Sequence, residues 1–229
     1  MSCKICDNLG GWQVQKQIGG ETYPFWVECI CSKKKRYIEK AKSLGLGEDI
    51  LEKTFDTYKT PEKWQENILT TAKKFIESGK TFYIGGQVGS GKTHICTAIL
   101  NCLIEKELEC SYMVWNDIVT RLKQTTYGDE KQYNEYLNEL KTISVLYIDD
   151  FFKITPSTAD IDKAFQFINA RYIASKNNKL ITLFSSEKTF NELSQSDEAI
   201  ASRIYEMANK GEFILSIQKD TNKNFRYKQ

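Results

Sequence analysis

The sequence lacks any long hydrophobic run. No apolar stretch approaches the roughly 18 residues that a membrane-spanning helix requires. The first residues, MSCKICDNLGGW, also lack the basic region and apolar stretch of a secretion signal. Both absences favour a cytoplasmic protein without a membrane partner, in which cysteine thiols stay reduced.

An excess of charge of one sign is missing as well. The 32 basic and 30 acidic residues leave a formal net charge of +2, which neither predicts nor excludes nucleic-acid binding. Internal repeats and low-complexity tracts are also absent. What the chain does have is 41% hydrophobic and 27% charged residues among 229, enough to bury a core.

From residue 80 onward, short apolar runs alternate with helical patterns. The predicted strands are KTFYIGG, CSYMVWN, ISVLYIDD, KLITLFSS and GEFILSIQ. This alternation is typical of a mainly parallel sheet covered by helices on both faces. We therefore predict an α/β fold with a five-stranded sheet in residues 51–229, and a small N-terminal module with its linker in residues 1–50.

The segment GQVGSGKT, residues 86–93, matches the G-x-x-x-x-G-K-[ST] pattern of a P-loop and joins a predicted strand to a predicted helix. Glycines let phosphate oxygens approach backbone N–H groups, Lys92 can neutralise the β- and γ-phosphates, and the Thr93 hydroxyl can bind Mg²⁺. A plain glycine-rich turn is the alternative, but it needs neither the lysine nor the threonine. The predicted ATP-binding residues are Gly86, Gln87, Val88, Gly89, Ser90, Gly91, Lys92, Thr93 and the following His94.

Two acids stand at the end of the predicted strand SVLYIDD. Ligands of open α/β sheets bind at the carboxyl ends of the strands, so Asp149 and Asp150 are expected beside the P-loop. Asp149 is the predicted partner of the Mg²⁺ bound by Thr93, and Asp150 the predicted acid that polarises the attacking water. The alternative, which has more weight for Asp150, is a loop start without a chemical role.

Four of the seven cysteines fall in the first 31 residues, as the pairs Cys3-x2-Cys6 and Cys29-x-Cys31. Two close pairs separated by a hairpin suit the tetrahedral coordination of zinc, and four protein ligands indicate a structural ion. Four reduced thiols, or two independent pairs, are the alternatives.

With these motifs in place, the chain resembles the AAA+ ATPases, and among them the bacterial helicase loaders of the DnaC/DnaI type, including phage versions. LFSSEKTFNEL resembles the sensor 1 segment of these loaders, and DEAIASRIYEM resembles the segment that carries their arginine finger. The resemblance implies a catalytic set of Lys92, Asp149, Asp150, Ser186 and Arg203.

The resemblance also reaches both ends of the predicted ATPase core. TFDTY at 54–58 resembles the stretch that helps to enclose adenine, which implies contacts from Phe55 and Tyr58. KNFRYKQ resembles the segment with the sensor 2 arginine, here Arg226, for which a mobile basic tail is the alternative.

The resemblance further implies how the protein assembles and acts. Arg203 would serve the nucleotide of a neighbouring subunit in a head-to-tail oligomer, expected to be hexameric with the helicase. A replicative DNA helicase, contacted by the N-terminal cysteine module, and single-stranded DNA would be the partners. The function predicted is ATP-dependent helicase loading during replication initiation.

Two positions depart from the AAA+ pattern. Asp150 stands where these proteins usually carry glutamate, and serine stands at the sensor 1 position where many carry asparagine. Either change favours slow hydrolysis and a nucleotide-gated switch.

Two other functions compete with the loader. An IstB-type transposition regulator has a closely similar ATPase core and binds duplex DNA, but such chains generally lack the cysteine module. A small-molecule kinase would need an arginine-rich lid, and no convincing lid is present in the sequence.

Overall fold

The computed structural model describes residues 3–43, 48–126, 130–153, 157–177 and 180–227. Within these ranges the strands are β1 (Gly11–Ile18), β2 (Glu21–Glu28), β3 (Thr81–Gly86), β4 (Cys110–Val114), β5 (Val145–Asp149), β6 (Ile181–Ser186) and β7 (Ile214–Ile217). The helices are α1 (Ile30–Ser43), α2 (Lys63–Phe75), α3 (Lys92–Glu105), α4 (Trp115–Thr126), α5 (Glu130–Thr142), α6 (Thr158–Asn177), α7 (Phe190–Ser196) and α8 (Glu198–Met207). Short 3-10 turns occupy Glu48–Leu51, Thr221–Lys223 and Phe225–Tyr227.

The five later strands form one sheet in the order β4-β5-β6-β3-β7, and every neighbouring pair is parallel. This confirms the predicted α/β fold with a five-stranded parallel sheet. Strand β3 has a neighbour on each side and is buried along its whole length. Strand β3 is therefore an interior strand of the sheet, and the glycine-rich loop leaves from its carboxyl end.

Helices cover both faces of this sheet, because alternate residues of each strand point to opposite sides. Phe82 and Ile84 of β3 belong to the cluster that α1, α2 and α3 cover, whereas Tyr83 between them belongs to the cluster under α4, α5, α6 and α8. A sheet buried on both faces explains why its strands read as near-continuous apolar runs.

A buried arginine joins helices α5 and α6 to the sheet. Arg171 of α6 is 1% exposed and donates to the carbonyls of Leu140 and Ile181 at 2.7 and 2.9 Å and to the hydroxyl of Thr182 at 2.8 Å. Burial lowers the pKa of this guanidinium to about 10. The side chain thereby satisfies carbonyls at the end of α5 that lack a partner within their own helix.

The structure differs from the sequence-based prediction in three helices. The sequence pattern predicts a helix from Asp117, whereas α4 begins at Trp115, and the pattern predicts no helix at the positions of α5 and α7. Helix α5 is highly charged, and its apolar positions Tyr133, Tyr136 and Leu140 mark only a narrow stripe toward the core. Helix α7 has only seven residues, although Thr189 and Glu192 give it a complete capping box.

The N-terminal residues form a two-stranded antiparallel hairpin joined to α1. Ile18 pairs with Glu21 across the two-residue turn Gly19-Gly20, and both glycines have positive φ, as a type I′ turn requires. Helix α1 is not confined to this module, since its Tyr37 is buried in the core that also contains α3. The division of the chain at residue 50 stays a prediction.

One side of the hairpin is apolar. Cross-strand partners share a face, so the pairs Trp12–Val27, Val14–Phe25 and Lys16–Tyr23 lie on the same side, with Ile18 next to the turn. The Lys16 ammonium lies 5.6 Å from the centre of the Phe25 ring, which agrees with this grouping. We call this side, with Trp12, Val14, Ile18, Tyr23, Phe25 and Val27, the apolar hairpin face.

Among the described residues, no helix is both long and apolar enough to cross a bilayer.

Candidate nucleotide-binding site and cysteine cluster

The loop between β3 and α3 is shaped by residues that a side chain would disrupt. Gly86 has a φ of +111°, and a Cβ there would lie 1.9 Å from the carbonyl oxygen of Ile217 on β7. Gly89 has a φ of +70°, and a Cβ there would meet Asn224 Oδ1 at the same distance. Gly91, also at positive φ, is the N-cap of α3, so the loop leads directly into the amino end of that helix. Backbone N–H groups and the helix dipole at this point suit a phosphate group.

Lys92 stands at the first turn of α3 with its ammonium turned back over the loop. Its Nζ donates to the carbonyls of Gly86 at 3.0 Å and Gln87 at 2.6 Å. Burial lowers the pKa of Lys92. A partly desolvated ammonium bonded only to neutral carbonyls gains strongly from a nearby phosphate. The predicted neighbours Val88 and Ser90 complete the loop, with the Ser90 hydroxyl bonded to the Gln87 carbonyl at 2.7 Å.

Asp149 lies at the end of β5 and faces the start of α3. Its Oδ2 accepts from the Thr93 hydroxyl at 3.5 Å and from the Tyr112 hydroxyl at 3.2 Å. Its Oδ1 accepts from the Ser185 hydroxyl and from the Asp150 backbone N–H at 3.0 Å. A carboxylate beside a threonine hydroxyl is the hard-oxygen donor set that Mg²⁺ takes in P-loop proteins. The pairing predicted between Thr93 and Asp149 is therefore present in space.

Asp150 forms an ion pair with a lysine. Its φ is +54°, and its Oδ2 accepts from Lys153 Nζ at 3.0 Å. The same ammonium lies 3.3 Å from Glu187 Oε1, just beyond the end of β6. The hydrogen bond to Asp150 raises the pKa of Lys153, so this lysine is charged and bridges two carboxylates.

Ser186 is not directed toward the acids. Its hydroxyl donates to the Phe151 carbonyl at 2.6 Å and accepts from the Lys188 backbone N–H at 3.1 Å. The preceding Ser185 contacts Asp149 and lies 3.0 Å from the Tyr147 hydroxyl. The sensor role of Ser186 stays a prediction, and its bonds here hold the ends of β5 and β6 together.

The turn at 54–58 lies against the first turn of α3. His94 Nε2 is 3.0 Å from the Thr54 carbonyl oxygen, and its ring meets the Tyr58 ring edge-on at 5.3 Å between centroids. Tyr58 lies beside Gly91 and is buried, and its hydroxyl has no hydrogen-bond partner among the described residues. Phe55 is partly buried against the core. The predicted adenine segment is thus next to the P-loop, and His94 is one of the residues that hold it there.

The C-terminal segment closes the other side of the loop. The Phe225 backbone N–H donates to the Gly89 carbonyl at 2.9 Å, and the Asp220 N–H donates to the Gln87 side-chain oxygen at 2.8 Å. Asn224 Oδ1 accepts from the Arg226 N–H at 3.1 Å. Arg226, the predicted sensor 2 residue, places its Cγ close to Gly89. We call residues 220–227 the C-terminal strap.

Arg203 contacts a different part of the molecule. Its guanidinium donates to Asn169 Oδ1 at 2.8 Å and to the Ala199 carbonyl at 2.9 Å, and it lies 4.4 Å from the centre of the Phe165 ring. Asn169 and Phe165 also line an open groove of about 920 Å³ along α5 and α6. The structure does not bring Arg203 together with the P-loop of its own chain.

The four N-terminal cysteines converge as the spacing predicted. All four sulfur atoms lie within 4.8 Å of one another, with Cys3 and Cys29 3.7 Å apart and Cys6 and Cys31 3.3 Å apart. Zinc with four thiolates at about 2.3 Å in a tetrahedron separates the sulfur atoms by about 3.8 Å. The donor set and its spacing therefore fit a structural zinc ion.

Local backbone dipoles favour a thiolate at Cys3, whereas the neighbouring thiols oppose a second one. The N–H groups of Ile5 and Cys6 lower the pKa of Cys3 to about 7, and the hydrogen bond with Cys6 raises the pKa of Cys31 to about 12. Cys29 is the residue before α1, where its carbonyl accepts the first helical hydrogen bonds, and Cys31 lies in the first turn. The positive end of the helix dipole is thereby placed beside the sulfur atoms.

Sequence reasoning missed several contributors to the nucleotide site. On the sequence alone, packing is the expected role of Tyr112, and Ser185 appears only within the sensor 1 segment, yet both bond to Asp149. Lys153 was not singled out, although a lysine three residues after Asp150 is a signal for an ion pair at a loop start. The bond from the Phe225 backbone N–H to the Gly89 carbonyl has no local signal in the sequence.

Comparisons with known proteins agree with this geometry. A model of the family described as IstB-like ATP binding protein matches residues 35–227. The uncharacterized protein YqaM of Bacillus subtilis strain 168 is 30% identical over 236 aligned positions, which cover 95% of this chain and 69% of YqaM.

A named loader and a solved structure are also similar. The replicative helicase loader DnaI of Bacillus subtilis is 28% identical over 157 positions, covering 63% of this chain and 50% of DnaI. A crystal structure of the DnaC helicase loader superposes with a TM-score of 0.62 at 23% identity, over 76% of this chain and all of that one. At this identity, the superposition shows a shared fold.

Proposed function

Because this chain belongs to the family of IstB-like ATP binding proteins, we propose that it is an ATP-dependent loader that places a replicative DNA helicase on single-stranded DNA. The similarity to the helicase loader DnaI supports this choice within the family. The observation that carries the proposal is the cysteine-clustered hairpin joined through α1 to the P-loop core, because a second, partner-directed module is what a loader needs beyond an ATPase.

ATP is proposed to bind along the P-loop. The loop's N–H groups and Lys92 would hold the phosphates, and Thr93 and Asp149 would hold Mg²⁺, which neutralises phosphate charge when bound. Tyr58 and Phe55 would border the base, with His94 holding their turn in place. Arg226 would approach the phosphates from the C-terminal strap.

Arg203 is proposed to act on the nucleotide of a neighbouring subunit. Its contacts with Asn169 and Phe165 hold the guanidinium at the rim of the α5–α6 groove, away from its own P-loop. A cation supplied in trans at the γ-phosphate stabilises transition-state charge and makes hydrolysis depend on assembly. Identical subunits with this arrangement join head to tail, which gives a spiral or ring.

The apolar hairpin face is the proposed contact with the helicase. Trp12, Ile18, Tyr23 and Phe25 are all exposed on it, and exposed apolar patches of this kind mark protein interaction sites. The few residues that dominate the binding energy at such interfaces are enriched in tryptophan and tyrosine. A matched pair of variants tests the assignment: Phe25→Ser on this face should weaken helicase binding, whereas Gln15→Ser on the opposite face should not.

A transposition regulator of the IstB type is the second candidate, favoured by the family match over residues 35–227. Such a protein would assemble on duplex DNA without a helicase. The cysteine module lies mostly before the matched region, and it is this module that favours the loader.

One experiment separates the two functions. The purified chain is mixed with its cognate replicative helicase in ATP and Mg²⁺, and complexes are measured by size-exclusion chromatography with light scattering. The loader proposal expects a stable complex that a Phe25→Ser variant fails to form. Absence of any complex, together with ATP-dependent filaments on duplex DNA, would establish the alternative.

A further inference from the structure

The order of the strands places one unassigned carboxylate between the two halves of the nucleotide site. Strand β6 lies between β5, which ends in Asp149, and β3, which leads into the P-loop. The residue directly after β6 is Glu187, so its backbone stands at the same sheet edge, between the acids and the phosphate loop. A γ-phosphate held by the loop would lie above this strand end.

The hydroxyl groups nearest to this position are already engaged. Ser185 bonds to Asp149 and Tyr147, and Ser186 bonds to the Phe151 carbonyl. These bonds fix the loop but leave both hydroxyls turned into the protein, where Ser185 and Ser186 are 2% and 1% exposed. Glu187 is the first residue after these two serines, and its side chain is 33% exposed.

Lys153 connects Glu187 to Asp150. The ammonium is 3.0 Å from Asp150 Oδ2 and 3.3 Å from Glu187 Oε1, so one cation holds both carboxylates at the carboxyl edge of the sheet. Glu187 is thereby held at the end of β6, the strand that lies next to β3.

We propose that Glu187, and not Asp150, is the carboxylate that activates the attacking water, with Lys153 as the residue that positions it. Asp150 has a short side chain on a left-handed backbone and is turned toward Lys153. Glu187 has one more methylene group and starts from the strand nearer to the P-loop. A glutamate at this place supplies the longer carboxylate that is missing after β5.

The proposed step is hydrolysis of the γ-phosphate, and it rests on the proposed ATPase function. The water oxygen forms a bond to the γ-phosphorus while the bond from that phosphorus to the β–γ bridging oxygen breaks, and ADP leaves with the electron pair. The Glu187 carboxylate takes the proton from the water and then releases it to solvent. General base catalysis of this kind contributes about 10²–10⁴-fold to a rate.

The test compares Glu187→Gln, Asp150→Asn and Lys153→Gln in the full chain. Glu77→Gln is the matched control, because Glu77 also pairs with a lysine, Lys106, but both residues lie shortly before the amino ends of strands β3 and β4. Steady-state ATP hydrolysis is measured with the helicase and single-stranded DNA present, and Mg-ATP affinity is measured separately with a fluorescent analogue. Circular dichroism melting checks that each variant is folded.

The proposal expects Glu187→Gln to lower kcat at least about 100-fold while the affinity for Mg-ATP stays within about threefold. Asp150→Asn and Lys153→Gln should lose about tenfold or less, Glu187→Asp should recover part of the loss, and Glu77→Gln should equal the wild type. The proposal is overturned if Glu187→Gln keeps kcat within threefold of the wild type, or if Lys153→Gln loses as much as Glu187→Gln. A wild-type chain that binds no Mg-ATP would overturn the proposed function and this step with it, and the binding measurement distinguishes that result from the others.

Discussion

Removal of zinc should unfold the hairpin and leave the ATPase core intact. The described residues before α1 bury few side chains, chiefly the cysteines themselves, with Cys6 6% and Cys29 0% exposed. The aromatic side chains of the hairpin are exposed, and an isolated two-stranded hairpin is marginally stable at best. A zinc ion held by the four cysteines would therefore supply most of the stability of this module.

The size of the effect follows from the ligand set. Four thiolates in the spacing seen here, all within 4.8 Å, would bind zinc with an apparent free energy of about 10–16 kcal/mol, as structural sites in small peptides do. Losing even about 4 kcal/mol of this changes the folded-to-unfolded ratio of the module about a thousandfold. The core has two large apolar clusters of its own, so it should be unaffected.

Limited trypsin digestion combined with zinc quantification measures this. Lys16 lies within β1, so the zinc-loaded protein should resist cleavage there and the chelator-treated protein should be cut, while a fragment from α1 onward persists. Cys6→Ser should behave like the chelated protein, and Cys102→Ser, which alters a thiol of α3, should behave like the wild type. A purified protein that contains no zinc but still resists cleavage at Lys16 would refute the reasoning.

Three further perturbations test the nucleotide site. Lys92→Ala should abolish Mg-ATP binding, because the Lys92 ammonium, bonded to the Gly86 and Gln87 carbonyls, is the charge available to the phosphates. Full affinity in a fluorescence titration would contradict the P-loop assignment. Arg203→Ala should lower ATP hydrolysis about 10³-fold or more and regain part of it when Lys92→Ala subunits are added, since each variant keeps one half of a composite site. No recovery at high protein concentration would argue against action in trans. Gly89→Ala should lower the free energy of unfolding by about 1–2 kcal/mol, because Gly89 has a positive φ. It should also weaken ATP binding, because the added Cβ displaces Asn224. An unchanged melting temperature with unchanged affinity would show that the C-terminal strap does not depend on this glycine.

The sequence predicted the parts of the site that share a local pattern. Glycines at fixed offsets before Lys92 and Thr93 have one physical use, and Asp149 at the end of an apolar strand was placed correctly beside them because parallel strands end at one edge. The cysteine pairs were predicted to converge for a similar reason, since a tight hairpin lies between them. In each case a short stretch of chain determines the geometry.

The remaining contacts depend on strand order, which no local pattern contains. Glu187 could be linked to Lys153 only once β6 was known to lie next to β5. The contact of Phe225 with Gly89 joins positions far apart in sequence through β7, which pairs with β3. The role expected of Ser186 depended on which of two neighbouring hydroxyls turns toward Asp149, and strand periodicity alone does not determine that.

Helix α1 belongs to two parts of the molecule. Cys31 near its start belongs to the four-cysteine cluster, while Tyr37, six residues later, is packed in the same apolar cluster as α3, the helix that begins at Lys92. A protein that binds the hairpin therefore acts, through α1, on the helices that pack behind the phosphate loop. If this binding alters the affinity for ATP, thermodynamic reciprocity requires ATP to alter the affinity for that protein by the same factor.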